Sequence, residues 1–155
     1  MYKRQQYNDD TFARISDALD EVGEHAEDVD VLVAVENHGG VTATGAQCLR
    51  LLDPVMSPAV GLNFDPANFR HATEDAMSAL LVTCDFVNYS HWKDVRYEAD
   101  KPEYCAVGEG VIDWPAIVDH LLMIGYDGYW AIEYEAVEDV ERGTKDSLKY
   151  LMELV

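Results

Sequence analysis

At 155 residues, with 48% hydrophobic and 10% aromatic side chains, the chain has the size and apolar content of one ordinary domain (1–155), which excludes wholesale disorder. Thirty Asp and Glu against eleven Lys and Arg give a formal net charge of −19, which repels phosphate backbones and anionic lipid and argues against nucleic-acid and membrane partners. No apolar run reaches the roughly 18 residues of a membrane span, and the opening MYKRQQYNDD lacks the apolar core of a secretory signal, so a soluble, cytoplasmic protein is expected. Only five of the cations are lysines, the balance seen in proteins that work in concentrated salt. Cys48, Cys84 and Cys105 form no CxxC pair and are expected to pack as small apolar residues.

Apolar periodicity gives the following elements in chain order. Phe12, Ile15, Leu19 and Val22 predict a helix over 10–28, and VLVAVE predicts a strand at 31–36. A helix at 45–53 leads to the strand VGLNFD at 60–65, and a helix near 73–83 leads to FVNYSH at 86–91. A charged, glycine-containing loop over 96–112 is the one long connection, and long loops of this kind are often functional. Residues 113–124 read as helix, YWAIEYE at 129–135 as strand and 143–154 as helix. The strands are apolar on both faces, as in a parallel sheet covered by helices. The fold class is α/β: one helix, then four strand–helix units.

Each of the four strands ends in a metal-ligand or proton-carrying residue: Glu36, Asp65, His91 and Glu133, spaced 29, 26 and 42 residues apart. A strand with its crossover takes about 30 residues, so these are spacings of successive parallel strands, which share one C-terminal edge. Any one carboxylate reads equally well as a surface acid; four strand ends finishing this way argue for one shared site. Its oxygen-rich character suits Mn²⁺, Mg²⁺ or Co²⁺ better than a structural zinc site. Side chains two apart on a strand share a face, which puts His38 beside Glu36, Lys93 beside His91 and Glu135 beside Glu133. Two choices stay open here: His38 either faces the site or bonds loop backbone, and Lys93 either joins the site or pairs with Asp94 or Asp65. Ala34, Gly61 and Ala131 are small and predict room inside a narrow interior, while Trp92 and Trp130 are expected to pack against outer helices.

The segments VAVENHGG, VGLNFDPANF, HWKDV and GEGVIDWPAIVDHLLMIGYDGYWAIEYE resemble, in order, the xylose isomerase-like TIM barrels, the sugar phosphate isomerase/epimerase superfamily. The resemblance runs from about residue 31 to 135 and matches the C-terminal half of the barrel, strands five to eight, because a full barrel takes about 250 residues. It implies that Glu36, Asp65, His91 and Glu133 bind one divalent metal, with Mn²⁺ the first expectation and Zn²⁺ a further alternative, and that Glu36 and Glu133 act as acid and base. It also implies that His38, Lys93 and Glu109 line the substrate site. Asn68 stands where ketose epimerases often carry histidine, so it would make a different substrate contact.

The expected reaction is isomerisation or epimerisation of a small sugar or sugar phosphate by proton abstraction next to a carbonyl. The alternatives are dehydration of a keto-polyol of the inosose type, or a non-catalytic half barrel serving as a subunit of a split enzyme. Four strands leave two unpaired edges and an inner face with Leu32, Ala34, Tyr89 and Ala131, so a homo-oligomer or a separate N-terminal half-barrel chain is expected to close it. The charge of −19 generates one prediction already. The melting temperature rises between tens of millimolar and molar salt, as the screening length falls from ~10 Å at 0.1 M to ~3 Å at 1 M. A flat or falling melting temperature over that range contradicts it.

Overall fold

A computed structural model describes residues 7–99 and 101–155. Helix α1 (Asp9–Asp28) opens with Asn8 capping the amide of Thr11 and with Asp9 and Asp10 in its positive first turn. Four strands follow the expected order: β1 (Val33–Glu36), β2 (Val60–Phe64), β3 (Val87–Trp92) and β6 (Tyr129–Ile132), all parallel and arranged β1-β2-β3-β6. The helices between them are α2 (Gly45–Leu52), α3 (Pro66–His71), α4 (Ala76–Thr83) and α5 (Trp114–Met123), with α6 (Val140–Leu154) last.

The core lies on one face of this sheet. Leu62, Phe64 and Trp92 meet Cys48 and Leu52 of α2, Leu80 of α4 and Ile117 and Leu121 of α5. Trp92 stacks on Trp114 with ring centroids 4.3 Å apart, and Trp130 meets Trp92 edge-on, as the outward register predicts. Cys48 and Cys105 are buried and Cys84 half-buried, all three as free thiols. Strand β2 is buried along its whole length, whereas β1 and β6, at the two edges, are partly open. The face away from the helices leaves Leu32 65% and Tyr129 76% exposed.

Three expectations change. The stretch 96–112 is not an open loop throughout: β4 (Asp94–Glu98) and β5 (Lys101–Cys105) form an antiparallel hairpin across it. The charged residues Arg96, Glu98, Lys101 and Glu103 are solvated and alternate with Val95, Tyr97, Pro102 and Tyr104, and Arg96 lies directly opposite Glu103 at 3.4 Å. The helix expected at 73–83 forms as α4, starting at Ala76, and an additional short helix, α3, precedes it. Asp65 accepts from the amide of Asn68, and Pro66 starts a separate short α3 before Asp75 caps α4. The room expected over Gly61 is filled. The register slips between Leu62 and Asn63, and the extra residue, Asn88, lays its side chain over Gly61 and donates to the Val33 carbonyl at 3.2 Å.

Beside the site, Asp94 ties the hairpin to the glycine-rich turn. Its buried carboxylate accepts from the amides of Val95 (2.8 Å), Gly108 (2.9 Å), Gly110 (3.1 Å) and Ile112 (3.4 Å) and from Trp114 Nε1 (3.0 Å). A Cβ at Gly110 would overlap that carboxylate, which is why the turn carries glycine there. Asp94→Asn keeps the shape but turns an NH₂ group toward N–H donors. Urea unfolding is expected to show a loss of about 3 kcal/mol, from buried donors left unpaired; a loss under about 0.5 kcal/mol, the range of neutral surface changes, contradicts this reading.

Candidate metal centre

The ends of the four parallel strands meet at one rim. Glu36 closes β1, and the next residue, Asn37, is buried with its amide exchanging two 2.8 Å hydrogen bonds with the backbone of Asp65. This side-chain bridge continues the β1–β2 pairing past the last strand bond and fixes Glu36 and Asp65 relative to each other. Asp65 follows β2 and is held by its capping bond to α3. His91 is the penultimate residue of β3, and Glu133 leaves β6 with its amide still bonded to the Trp92 carbonyl at 3.0 Å. Each of the four offers one ligand atom, and these atoms all lie within 4.8 Å of one another, a spacing that could hold one metal ion.

His91 Nδ1 lies 3.5 Å from both Glu36 Oε1 and Glu133 Oε2. Asn63 Nδ2 lies 3.2 Å from the His91 ring nitrogens, and its Oδ1 is buried without a partner among the described residues. The Asn68 amide donates to Glu36 Oε1 and Asp65 Oδ2, at 3.0 Å each. Lys93 settles one of the open choices: its ammonium lies 2.8 Å from Asp65 Oδ2, 2.6 Å from Glu133 Oε2 and 3.5 Å from Glu135 Oε2. The Lys93 side chain is 1% exposed and that of Asp65 0%. Burial pushes the Asp65 carboxyl up to about 6 despite the Lys93 ammonium and the Asn68 amide, which pull it down. Burial also pushes Glu133 up, but the Lys93 hydrogen bond and the charges of Lys93 and His91 outweigh it and hold it below the usual range. Burial lowers Lys93, and Asp65 and Glu133 together more than restore it.

Of the remaining expected residues, His38 is exposed, with its backbone amide, rather than its ring, donating to Thr42 Oγ1 at 3.1 Å. Glu109 is exposed in a recess with Asp146, Lys149 and Tyr150 of α6, apart from the four clustered ligands. Sequence reasoning missed Asn37, Asn63 and Tyr104. Tyr104, on the hairpin, hydrogen-bonds Glu135, and burial together with that carboxylate pushes its phenol up to about 12. The signal for Asn37 was present: an amide side chain immediately after a strand-end ligand is placed to bridge to the next strand.

The sequence matches the family described as xylose isomerase-like TIM barrel over residues 1–154. The chain belongs to that family. An inosose dehydratase of Lacticaseibacillus casei is 26% identical over 145 residues, covering 83% of this chain and 49% of that protein. A xylose isomerase-like TIM barrel protein from Mycobacterium smegmatis, solved in complex with magnesium, superposes with a TM-score of 0.84 at 16% identity, over 99% of this chain and 53% of that one. D-allulose 3-epimerase from Methylomonas sp., solved in complex with D-allulose, gives 0.76 at 18% identity, over 96% of this chain and 57% of that one. The chain thus spans about half the length of the xylose isomerase-like relatives it matches.

Glu133→Gln removes one anionic donor from the four while nearly keeping its shape. Titration calorimetry with Mn²⁺ is expected to show affinity at least about tenfold lower, since even outer contacts of a metal site are worth 10- to 100-fold. Unchanged affinity contradicts the assignment of Glu133.

Proposed function

We propose that this chain carries the metal-binding and proton-transfer groups of an enzyme that isomerises or epimerises a small hydroxy-ketone sugar. The observation that carries the reading is the grouping of Glu36, Asp65, His91 and Glu133 within 4.8 Å. A divalent ion at these residues, Mn²⁺ in the first instance with Mg²⁺, Co²⁺ or Zn²⁺ as alternatives, would supply the Lewis acidity that polarises a carbonyl and acidifies the neighbouring C–H. Glu36 ends one edge strand of the sheet and Glu133 directly follows the other, so they approach a shared ligand from opposite sides. One removes the proton and the other returns it, the arrangement that inverts or moves a hydroxyl-bearing centre. Asn68 holds Glu36 in its rotamer and offers its carbonyl oxygen toward a substrate hydroxyl; His38, exposed beyond the rim, is the second polar contact. Glu109 keeps a substrate-binding role in this reading only if the recess beside α6 is continuous with the completed pocket.

Lys93 is paired with carboxylates, and Arg50, Arg96, Arg142 and Lys145 with surface acids; Arg70, on α3, forms no ion pair among the described residues, so a sugar phosphate stands beside a free sugar in the substrate class. A second reading, dehydration of an inosose-type keto-polyol, begins with the same proton abstraction and is favoured by the inosose dehydratases among the curated relatives. In either reading, the open edges of β1 and β6 and the uncovered inner face are closed by a second copy or by a separate N-terminal half barrel. Light scattering is expected to show an assembly larger than one chain; an active, monodisperse monomer contradicts this part.

Incubation in D₂O with metal and a panel of ketoses, ketose phosphates and keto-polyols, followed by mass spectrometry, tests the chemistry. Epimerisation adds about one mass unit to an isomer, and dehydration removes about 18, as the loss of one water requires. Glu36→Gln is expected to slow either by about 10² or more, the scale of lost general acid–base catalysis. No exchange and no loss of water across the panel, with the assembled protein, contradicts the reading.

A further inference from the structure

Three carboxylates with ligand atoms within 4.8 Å of each other carry a formal charge of −3, and Asp65 has no contact with solvent to offset its share. Burying a charge such as that of Asp65 without a partner is strongly unfavourable, while Glu36 and Glu133 stay partly exposed. The ammonium of Lys93 lies between Asp65 and Glu133 and reaches Glu135 besides. The ammonium hydrogen-bonds Glu133 and faces Asp65 at 2.8 Å and Glu135 at 3.5 Å, so its charge is turned toward carboxylates. Over the ligand carboxylates Glu36, Asp65 and Glu133, Lys93 changes the formal sum from −3 to −2, the complement of one divalent ion, with Glu135 outside the ligand set. Without the lysine the same set would complement a trivalent one.

We infer that Lys93 is the built-in countercharge of the metal centre. It is a positioning residue that holds Asp65 and Glu133 together before an ion binds and sets the charge of the site to match a dication. The inference rests on the metal reading above. It departs from the substrate contact that the family resemblance implies for this lysine.

Thermal melts of the intact chain in chelator and in saturating Mn²⁺, and affinities for Mn²⁺ and Tb³⁺, are measured for wild type, Lys93→Met and Lys93→Arg. In Lys93→Met the melting temperature falls in chelator, and the rise on adding Mn²⁺ exceeds that of wild type by about 5 °C or more, because the ion now relieves repulsion that the lysine relieved before. The preference for Tb³⁺ over Mn²⁺ rises about tenfold or more in the same variant, as removal of one positive charge a few ångström away requires. Lys93→Arg keeps the wild-type preference. If Lys93→Met does not fold in chelator, its refolding with Mn²⁺ or Tb³⁺ is read instead: recovery with either ion supports the inference and failure with both overturns it. An unchanged ion preference together with a metal-induced stabilisation no larger than that of wild type also overturns it, since a lysine that merely fills space would give that result. A wild-type chain that binds no dication contradicts the metal reading itself and removes the basis of this inference with it.

Discussion

Carboxylates gathered at one strand rim repel each other unless a cation sits among them, and in this chain that cation is covalently present as Lys93. Its placement depends on four consecutive residues with alternating duties. His91 faces the rim, Trp92 stacks on Trp114 in the core, Lys93 reaches Asp65 and Glu133, and Asp94 collects the amides of the following turn. The two core-facing anchors, one aromatic and one a carboxylate, fix the backbone at the end of β3. The two rim-facing side chains are therefore held with little freedom, which is what a site requires if its groups are to meet a ligand without reorganising.

Much of this was legible in the chain because parallel strands have a simple consequence. Apolar runs of four to six residues, separated by helical segments, imply a shared C-terminal edge, and the residues that end the runs then become neighbours. Glu36, Asp65, His91 and Glu133 are found that way without any knowledge of side-chain geometry. What stayed hidden were short elements and interactions without a period. The β4–β5 hairpin alternates charged with apolar residues over only five positions per strand, and Pro102 weakens the strand signal further. Asn37 and Asn63 act through amides whose partners are strands away, and Asn88 reaches the position over Gly61 only because the β2–β3 register slips. Lys93 was visible as a neighbour of the site, but only the distances separate a lysine offered to a substrate from one consumed by carboxylates.

The same geometry sets what this half of a barrel does alone and what it leaves to others. The potential metal ligands lie at its own strand ends, while β1 and β6 end the sheet with unpaired backbone and leave Leu32 and Tyr129 to solvent. The chain spans about half the length of the relatives it matches. In the proposed reading, the reactive groups come from these strands and the remaining walls of the pocket come from whatever pairs with the open edges. A surface of net charge −19 then argues that such pairing is aided by salt, which weakens repulsion between like-charged partners over distances beyond the screening length.

The central claim is that four strand ends form one metal centre, and it is tested most directly by anomalous diffraction from crystals grown with Mn²⁺. The account predicts one strong anomalous peak bound by Glu36, Asp65, His91 and Glu133, with the Lys93 ammonium outside the coordination sphere and still against the Asp65 carboxylate. No peak among these four side chains, or a peak elsewhere on the chain, would contradict it.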